Sequence, residues 1–306
     1  MKQREDADTA ATSAGPLELL GLFPAFHVDN AGGIQVSGEL AWDAVVRACA
    51  ADGKRAHALQ VDLSHSAHAG ADPHSTLAQT RLNAALQVLR ARWSPNLILC
   101  WHADLIRLIP LVRGSDRRIL FLHGIEAWQE TGWVKQRLLG ALDLILVNSA
   151  FTLERARRAA PVLQRVRAEI VPLGIGTPLG NPPGPPEVPS AAIMIGRLDH
   201  GERYKGHEAV IEAWPRVLER LPDARLWIVG DGGLRADLQS QVNALNLTGH
   251  ITFFGRVDEQ AKEALLLRSR CLLLPSRAEG FGLVYLEAMR AGRPSLVSVH
   301  DAGREV

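Results

Sequence analysis

An alternation dominates this chain: short apolar runs, each long enough for one buried strand, are separated by longer stretches with helical spacing. The runs are LELLGLF (17–23), HALQV (57–61), PNLILCW (95–101), RRILFLH (117–123), LDLILVN (142–148) and EIVPL (169–173), with helices expected at Leu77–Arg92 and Phe151–Ala160. Runs that are apolar throughout, rather than at every second position, belong to strands covered on both faces, which predicts a doubly wound parallel α/β sheet. The rhythm breaks once, at GIGTPLGNPPGPPEVPS (174–190), whose six prolines and four glycines sustain neither helix nor central strand. It then restarts with AAIMIG (191–196), ARLWIVG (224–230), HITFFG (250–255), CLLLP (271–275) and PSLVSV (294–299), alternating with helices expected at Gly206–Leu221, Leu234–Leu245, Glu259–Arg270 and Gly282–Ala291. The expected organisation is a disordered tail (1–16), an N-terminal lobe (17–175), a Pro/Gly-rich linker (176–190) and a C-terminal lobe (191–306). Two such lobes are expected to hold a ligand in the cleft between them, at the carboxyl ends of the strands. Because Val306 follows closely on an expected strand with no helix to cover it, the second lobe is expected to be incomplete, its last α/β units missing.

Composition removes several classes of function. With 34 Lys plus Arg against 33 Asp plus Glu, the formal net charge of +1 creates no whole-protein field that would draw in nucleic acid. Cys49, Cys100 and Cys271 lie far apart among apolar residues, so they read as core thiols in a reducing compartment rather than as a disulfide framework or a zinc site. No stretch approaches a membrane span, and MKQREDADTAATSAG lacks the apolar centre of a signal peptide, so the expected location is cytoplasmic.

The chemistry concentrates in PSRAEGFGLVYLEAMRAGRP (275–294). A strand end leads into the loop Glu279-Gly280-Phe281-Gly282 and then a helix, whose first N–H groups and positive dipole end suit an anionic or hydroxyl-rich ligand. Glu279 and Glu287, eight positions apart, offer two carboxylates to different hydroxyls of one ligand; singly, each also reads as a helix-start or surface residue. Arg197 at a strand end and Lys205 just ahead of a helix can converge on one diphosphate, although each alone reads as a surface cation. Gly230-Asp231-Gly232 permits close approach of a ligand to backbone, or forms a plain tight turn. Val257 offers a backbone contact or a core side chain. In the first lobe, Gly32 and Gly33 of NAGGIQ (30–35) lie between a strand and a helix, and His123 of HGIEAW (123–128) ends a strand.

EGFGLVYLEAMRAGRP resembles the E-x7-E signature of retaining GT-B glycosyltransferases of the glycosyltransferase family 4 type. The similarity runs through the second lobe: IMIGRL (193–198) with YKGH (204–207) resembles the family's GR…KG element, VGDG (229–232) its next strand end, and FFGRV (253–257) the strand end before the nucleobase pocket. The resemblance implies a GT-B fold of two Rossmann-like lobes that moves a hexose, with retention, from a UDP- or GDP-sugar to an acceptor hydroxyl in polysaccharide or glycolipid biosynthesis. Arg197 and Lys205 would then hold the diphosphate and stabilise the leaving nucleotide. Glu279, with the N–H groups around Gly280, Phe281 and Gly282, would orient the sugar, and Glu287 would hold the ribose. Gly230, Asp231 and Val257 would complete the donor site, and Gly32 and Gly33 would face the donor from the first lobe. His123 would stand beside the reacting sugar and Glu126 would contact a carbohydrate or lipid-linked acceptor. Neither metal nor cofactor is expected on that view. The alternative is a truncated, non-catalytic protein of the same fold that only binds nucleotide or a partner; a nucleotide-sugar epimerase or an inverting transferase would explain the spaced glutamates less well.

Other patterns are set aside. His65, His68 and His74 lack a neighbouring carboxylate or Cys at metal-site spacing, and Asp6-Ala7-Asp8 lies in the tail before any strand. ERARRAAPVLQRVR (154–167) is read as a solvated helix face, with peripheral contact to an anionic inner membrane face as the alternative. No GxGxxG fingerprint follows either first strand, which argues against a nicotinamide-dependent oxidoreductase.

Overall fold

The computed structural model describes residues 17–28, 32–63, 74–91, 93–176, 184–188 and 190–306. The expected tail, Asp6-Ala7-Asp8, His65, His68 and most of the expected linker lie outside the described residues. The chain divides into two compact units, one holding Thr152–Val171 and everything before Ser149, the other holding Ser149–Phe151 and everything from Pro172 onward.

The first unit comprises β1 (Leu17–Pro24), α1 (Gly33–Ala51), β2 (Arg55–Val61), β3 (Ser75–Ala78), α2 (Arg81–Ala91), β4 (Leu97–Cys100), β5 (Arg117–Leu122), α3 (Trp133–Leu139), β6 (Leu144–Val147), all but the first two residues of α4 (Ala150–Ala159), and β7 (Ala168–Ile170). Its seven strands run in the order β3-β2-β1-β4-β5-β6-β7, every pair parallel. Leu20, Leu22, Leu59, Ile98, Leu120 and Val147 of neighbouring strands are fully or almost fully buried. Each such side chain contributes on the order of 1.5–3 kcal/mol by leaving water, which is why the apolar runs settle in the sheet interior.

One element departs from the sequence expectation. The helix expected from Leu77 starts at Arg81, and Ser75–Ala78 forms a strand instead. The exposed edge of β2 offers a ladder that Ser75–Ala78 completes, with Ala58 opposite Ser75 and Val61 opposite Ala78. Thr80 then opens the helix: its Oγ1 accepts from Asn83 N at 3.1 Å and its carbonyl from Ala84 N at 2.9 Å. Local apolar spacing could not reveal this partner, because the pairing is tertiary.

The second unit repeats the plan with β8 (Ala191–Ile195), α5 (His207–Leu218), β9 (Arg225–Val229), α6 (Arg235–Ala244), β10 (Ile251–Gly255), α7 (Glu259–Arg268), β11 (Cys271–Leu274), α8 (Leu283–Arg290) and β12 (Ser295–Val297). Its parallel strands are ordered β10-β9-β8-β11-β12, so the strand order reverses at β8. Ligands of doubly wound sheets bind at the carboxyl ends of strands near such reversals. Arg197 follows β8, and the Glu279 loop follows β11. Separate cores cover the two faces, one around Met194, Ile228 and Leu238, the other around Ile193, Leu272 and Tyr285. Among the described residues no helix is long and apolar enough to cross a membrane.

Candidate functional site

In the second unit the anion-binding candidates meet around a carboxylate that sequence reasoning did not single out. Glu202, in the 3-10 segment His200–Lys205, is buried, and its Oε1 accepts from Arg197 Nη2. Lys205 Nζ lies 3.2 Å from its Oε2, within ion-pair range but off hydrogen-bond direction. Arg197 and Lys205 are thus brought together on one carboxylate, with Glu202 between them. Arg197 remains 57% exposed, whereas Lys205 is 15% exposed, so one cation faces solvent and the other is held against the sheet end. The signal for Glu202 was its position between two candidate cations; no spacing rule marked it.

Backbone conformation explains the glycines. Gly230 has φ +138°, and a Cβ there would run into the carbonyl oxygen of Gly196, so β8 and β9 can end this close together only with glycine at this position. Asp231 is used locally: Oδ1 accepts from Gly232 N at 2.9 Å and Oδ2 from Arg235 at 3.2 Å. Val257 is half-buried and packs on the core that contains Ile193 and Tyr285.

Gly282 caps α8 with φ +88°, and a Cβ there would collide with the Tyr285 ring. The loop ahead of it is stapled by Asp301, which is fully buried. Asp301 Oδ2 accepts from Ser276 Oγ at 2.5 Å and from Glu279 N at 3.2 Å, while Oδ1 accepts from Gly303 N at 3.0 Å. Burial pushes the Glu279 carboxyl above the usual range, Lys205 opposes that rise and Asp301 adds to it. Phe281 is buried, and the Gly280 carbonyl accepts from Ser149 Oγ at 2.7 Å, which is why Ser149 groups with this unit.

Glu287 faces a cation that the sequence did not reveal. Lys262 Nζ donates to its Oε1 at 2.9 Å and sits 2.8 Å from Glu259 Oε2. Burial alone would lower the Lys262 pKa, but the carboxylates of Glu287 and Glu259 outweigh it and the pKa rises. Nothing in the sequence marks this pair, which joins α7 to α8.

In the first unit His123 is buried at the carboxyl end of β5, against Phe121 (ring centroids 4.7 Å apart) and Trp101 (5.1 Å). Its Nε2 donates to the Trp101 carbonyl at 2.8 Å, which leaves Nδ1 as a buried lone pair with no partner among the described residues. Burial lowers its pKa to about 4, so the ring is neutral near pH 7. Glu126 caps the same turn: Oε1 accepts from His123 N at 2.6 Å and Gly124 N at 3.1 Å. Gly32 caps α1, its N–H donating to Gln35 Oε1 at 3.1 Å, with Gly33 exposed behind it. The basic stretch 154–167 is largely partnered: Arg155 lies 4.9 Å from the Trp128 ring centroid, Arg157 donates to the Leu163 carbonyl at 3.3 Å, and Arg158 and Arg167 pair with Glu154 and Glu169. Among the described residues no group of three or more His, Cys, Asp or Glu side chains could hold a metal ion.

Residues 181–306 match the family described as glycosyl transferases group 1. A phosphatidyl-myo-inositol mannosyltransferase of Mycobacterium tuberculosis is 36% identical over 124 residues, which is 40% of this chain and 32% of that relative. The chain therefore matches about a third of that relative's length. A GDP-mannose-dependent monoacylated alpha-(1-6)-phosphatidylinositol monomannoside mannosyltransferase of Corynebacterium glutamicum is 26% identical over 248 residues, or 74% of this chain and 64% of the relative. Among solved structures, HepE of Anabaena in complex with UDP and glucose superposes with a TM-score of 0.68 at 17% identity, covering 94% of this chain and 82% of that one. Taken with the two doubly wound units, these matches give the chain a GT-B fold and show that residues 181–306, which carry the E-x7-E loop at the end of β11, match the group 1 glycosyl transferases.

Proposed function

We propose that this chain transfers a hexose from a nucleotide diphosphate sugar to an acceptor hydroxyl with retention at the anomeric carbon. The observation that carries the reading is the cradle in the second unit: Arg197 and Lys205 share the Glu202 carboxylate beside a glycine loop that opens a helix. Two cations held in place before the ligand arrives stabilise charge as it develops on a departing diphosphate, with little reorganisation during reaction. Side-chain cations can supply this neutralisation, so the mechanism calls for no metal. The N–H groups at the start of α8 and the Glu279 carboxylate suit the hydroxyls of the transferred sugar. Glu287, balanced by Lys262, suits the two hydroxyls of a ribose, since a carboxylate accepts both. The mannosyltransferase relatives favour GDP-mannose as donor, whereas the UDP-bound neighbour supports a uridine nucleotide equally well. In the first unit the neutral His123 ring is suited to meet a sugar hydroxyl, and a lipid-linked or free carbohydrate is the acceptor class that both sets of relatives support.

Calorimetric titration of UDP and GDP into the chain, alongside Lys205→Ala and Glu287→Ala, tests the donor half. One nucleotide should bind at micromolar strength, with each variant weaker by about 10- to 100-fold. A folded chain that binds neither nucleotide, or variants that bind as tightly as the parent, overturns the reading.

A further inference from the structure

In the second unit the segment His200–Lys205, between β8 and α5, is pinned to the loop after β11 at two backbone points. Arg277 N donates to the Tyr204 carbonyl at 2.9 Å, and a Cβ on Gly206 would stand 3.0 Å from the Pro275 carbonyl oxygen. The root of the Tyr204 side chain is therefore fixed against the loop that carries Glu279, two positions beyond Arg277. The chain has two tyrosines, and their hydroxyls differ. Tyr285 is 2% exposed and its hydroxyl donates to the Leu274 carbonyl at 3.3 Å, as a buried phenol is expected to do. Tyr204 is half-buried, yet its hydroxyl makes no hydrogen bond among the described residues, and the oxygen is not sealed from solvent. Burial, then the Glu279 and Glu202 carboxylates, push its pKa above the ordinary tyrosine value, with Arg197 opposing. The phenol is thus protonated at neutral pH, a fixed donor that the fold leaves unused.

We infer that Tyr204 determines donor-sugar specificity: its hydroxyl donates to a hydroxyl oxygen of the transferred sugar, the same hydroxyl that donates to the Glu279 carboxylate. This deepens the glycosyl-transfer reading and rests on it. A sugar hydroxyl accepts and donates at once, so it can bridge a phenol, which gives its proton, and a carboxylate, which only accepts. In such a chain each bond polarises and strengthens the next. Position separates the sugar from the diphosphate. The two cations of the cradle meet at Glu202, whereas Tyr204 is tied through its carbonyl to the loop of Glu279. Glu279 also acts on the phenol more strongly than Glu202 does, and Arg197 more weakly than either. A diphosphate already has two charged donors here, which bind it more strongly than a neutral phenol can. A sugar that lacks or inverts the bridging hydroxyl leaves both the phenol and the carboxylate unpaired, and that is how one residue discriminates between hexoses.

The test is calorimetric titration of the whole chain and of Tyr204→Phe with UDP, GDP, UDP-glucose, UDP-N-acetylglucosamine and GDP-mannose. Tyr204→Phe keeps the ring and its packing. It should weaken the best-bound sugar nucleotide by about 5- to 20-fold, while the matching free diphosphate changes by less than about twofold. Against the 2-, 3-, 4- and 6-deoxy forms of that sugar nucleotide, the Tyr204→Phe penalty should vanish at one position, the hydroxyl that the phenol contacts. A variant that binds sugar nucleotide as tightly as the parent overturns the inference alone, since loss of diphosphate affinity in Lys205→Ala keeps the transfer reading standing. Equal losses for sugar nucleotide and free diphosphate place the phenol on the diphosphate or in the fold, and a penalty that persists with every deoxy form makes its role structural; either result overturns the inference. So does a parent that binds the diphosphates but none of the sugar nucleotides. A folded parent that binds none of the five ligands overturns the inference and the transfer reading together.

Discussion

Replacing Asp301 by Asn tests whether one buried carboxylate holds the Glu279 loop. The side chain is fully buried and accepts three hydrogen bonds, from Ser276 Oγ, Glu279 N and Gly303 N. An amide of the same shape retains one oxygen, so whichever way it turns, at least one N–H of the protein faces its NH2 group. The Ser276 hydroxyl can rotate to accept from the amide, but the backbone N–H cannot. Losing a bond to a charged acceptor and leaving a buried donor unpaired together cost about 2–3 kcal/mol. For a unit of this size that corresponds to a fall in Tm of roughly 10 °C. Calorimetry should show the loss in the transition of the second unit, with the first unit unchanged. The substitution also removes a negative charge that raises the Glu279 pKa, so Glu279 should ionise at lower pH in the variant, visible as an acid-side shift in the pH profile of nucleotide-sugar binding. A Tm change under about 3 °C, or an unchanged pH profile, would refute the claim that Asp301 positions this loop.

Other consequences follow from the same geometry. Gly282→Ala forces a Cβ into the Tyr285 ring at φ +88° and should cost about 1–3 kcal/mol in the second unit while weakening nucleotide-sugar binding; normal binding in titration would contradict it. His123 and His207 are each lowered to about 4 by burial, so the unfolded chain, titrating near 6.5, takes up the proton first. Their contribution is complete above pH 6.5 and is lost as pH falls toward 4, by roughly 3 kcal/mol in each unit; His207→Leu should flatten only the second unit's stability profile between these values. Lys262→Met should weaken nucleotide binding less than Glu287→Ala, because it removes the neighbour that orients the carboxylate and leaves the carboxylate itself; equal losses in calorimetry would instead make Lys262 a direct contact.

Much of the framework was legible because its causes are local. Apolar runs of strand length show where a chain can be covered on both faces, and the strands at 17–24, 117–122, 191–195 and 225–229 lie where those runs lie. The glycine loop at 279–282 was legible for a similar reason, since a strand end, Gly282 and a helix follow one another within ten residues. The strand Ser75–Ala78 was not, because its reason for being a strand is the open edge of β2, whose paired residues each lie seventeen positions back along the chain.

The sequence alone determined which residue types stand at the strand ends and that two α/β units carry them, since backbone propensity, burial and close-approach glycines act within a few neighbours of each position. Tertiary structure decided what each charged group faces. Glu202 under Arg197 and Lys205, Lys262 against Glu287, and Asp301 beneath Glu279 are pairings set by how helices and loops pack on one sheet edge. Charge and hydrogen-bond partners depend on distances of a few ångström, and for Lys262 with Glu287 and Asp301 with Glu279 those distances link positions more than twenty residues apart, beyond the reach of any local pattern.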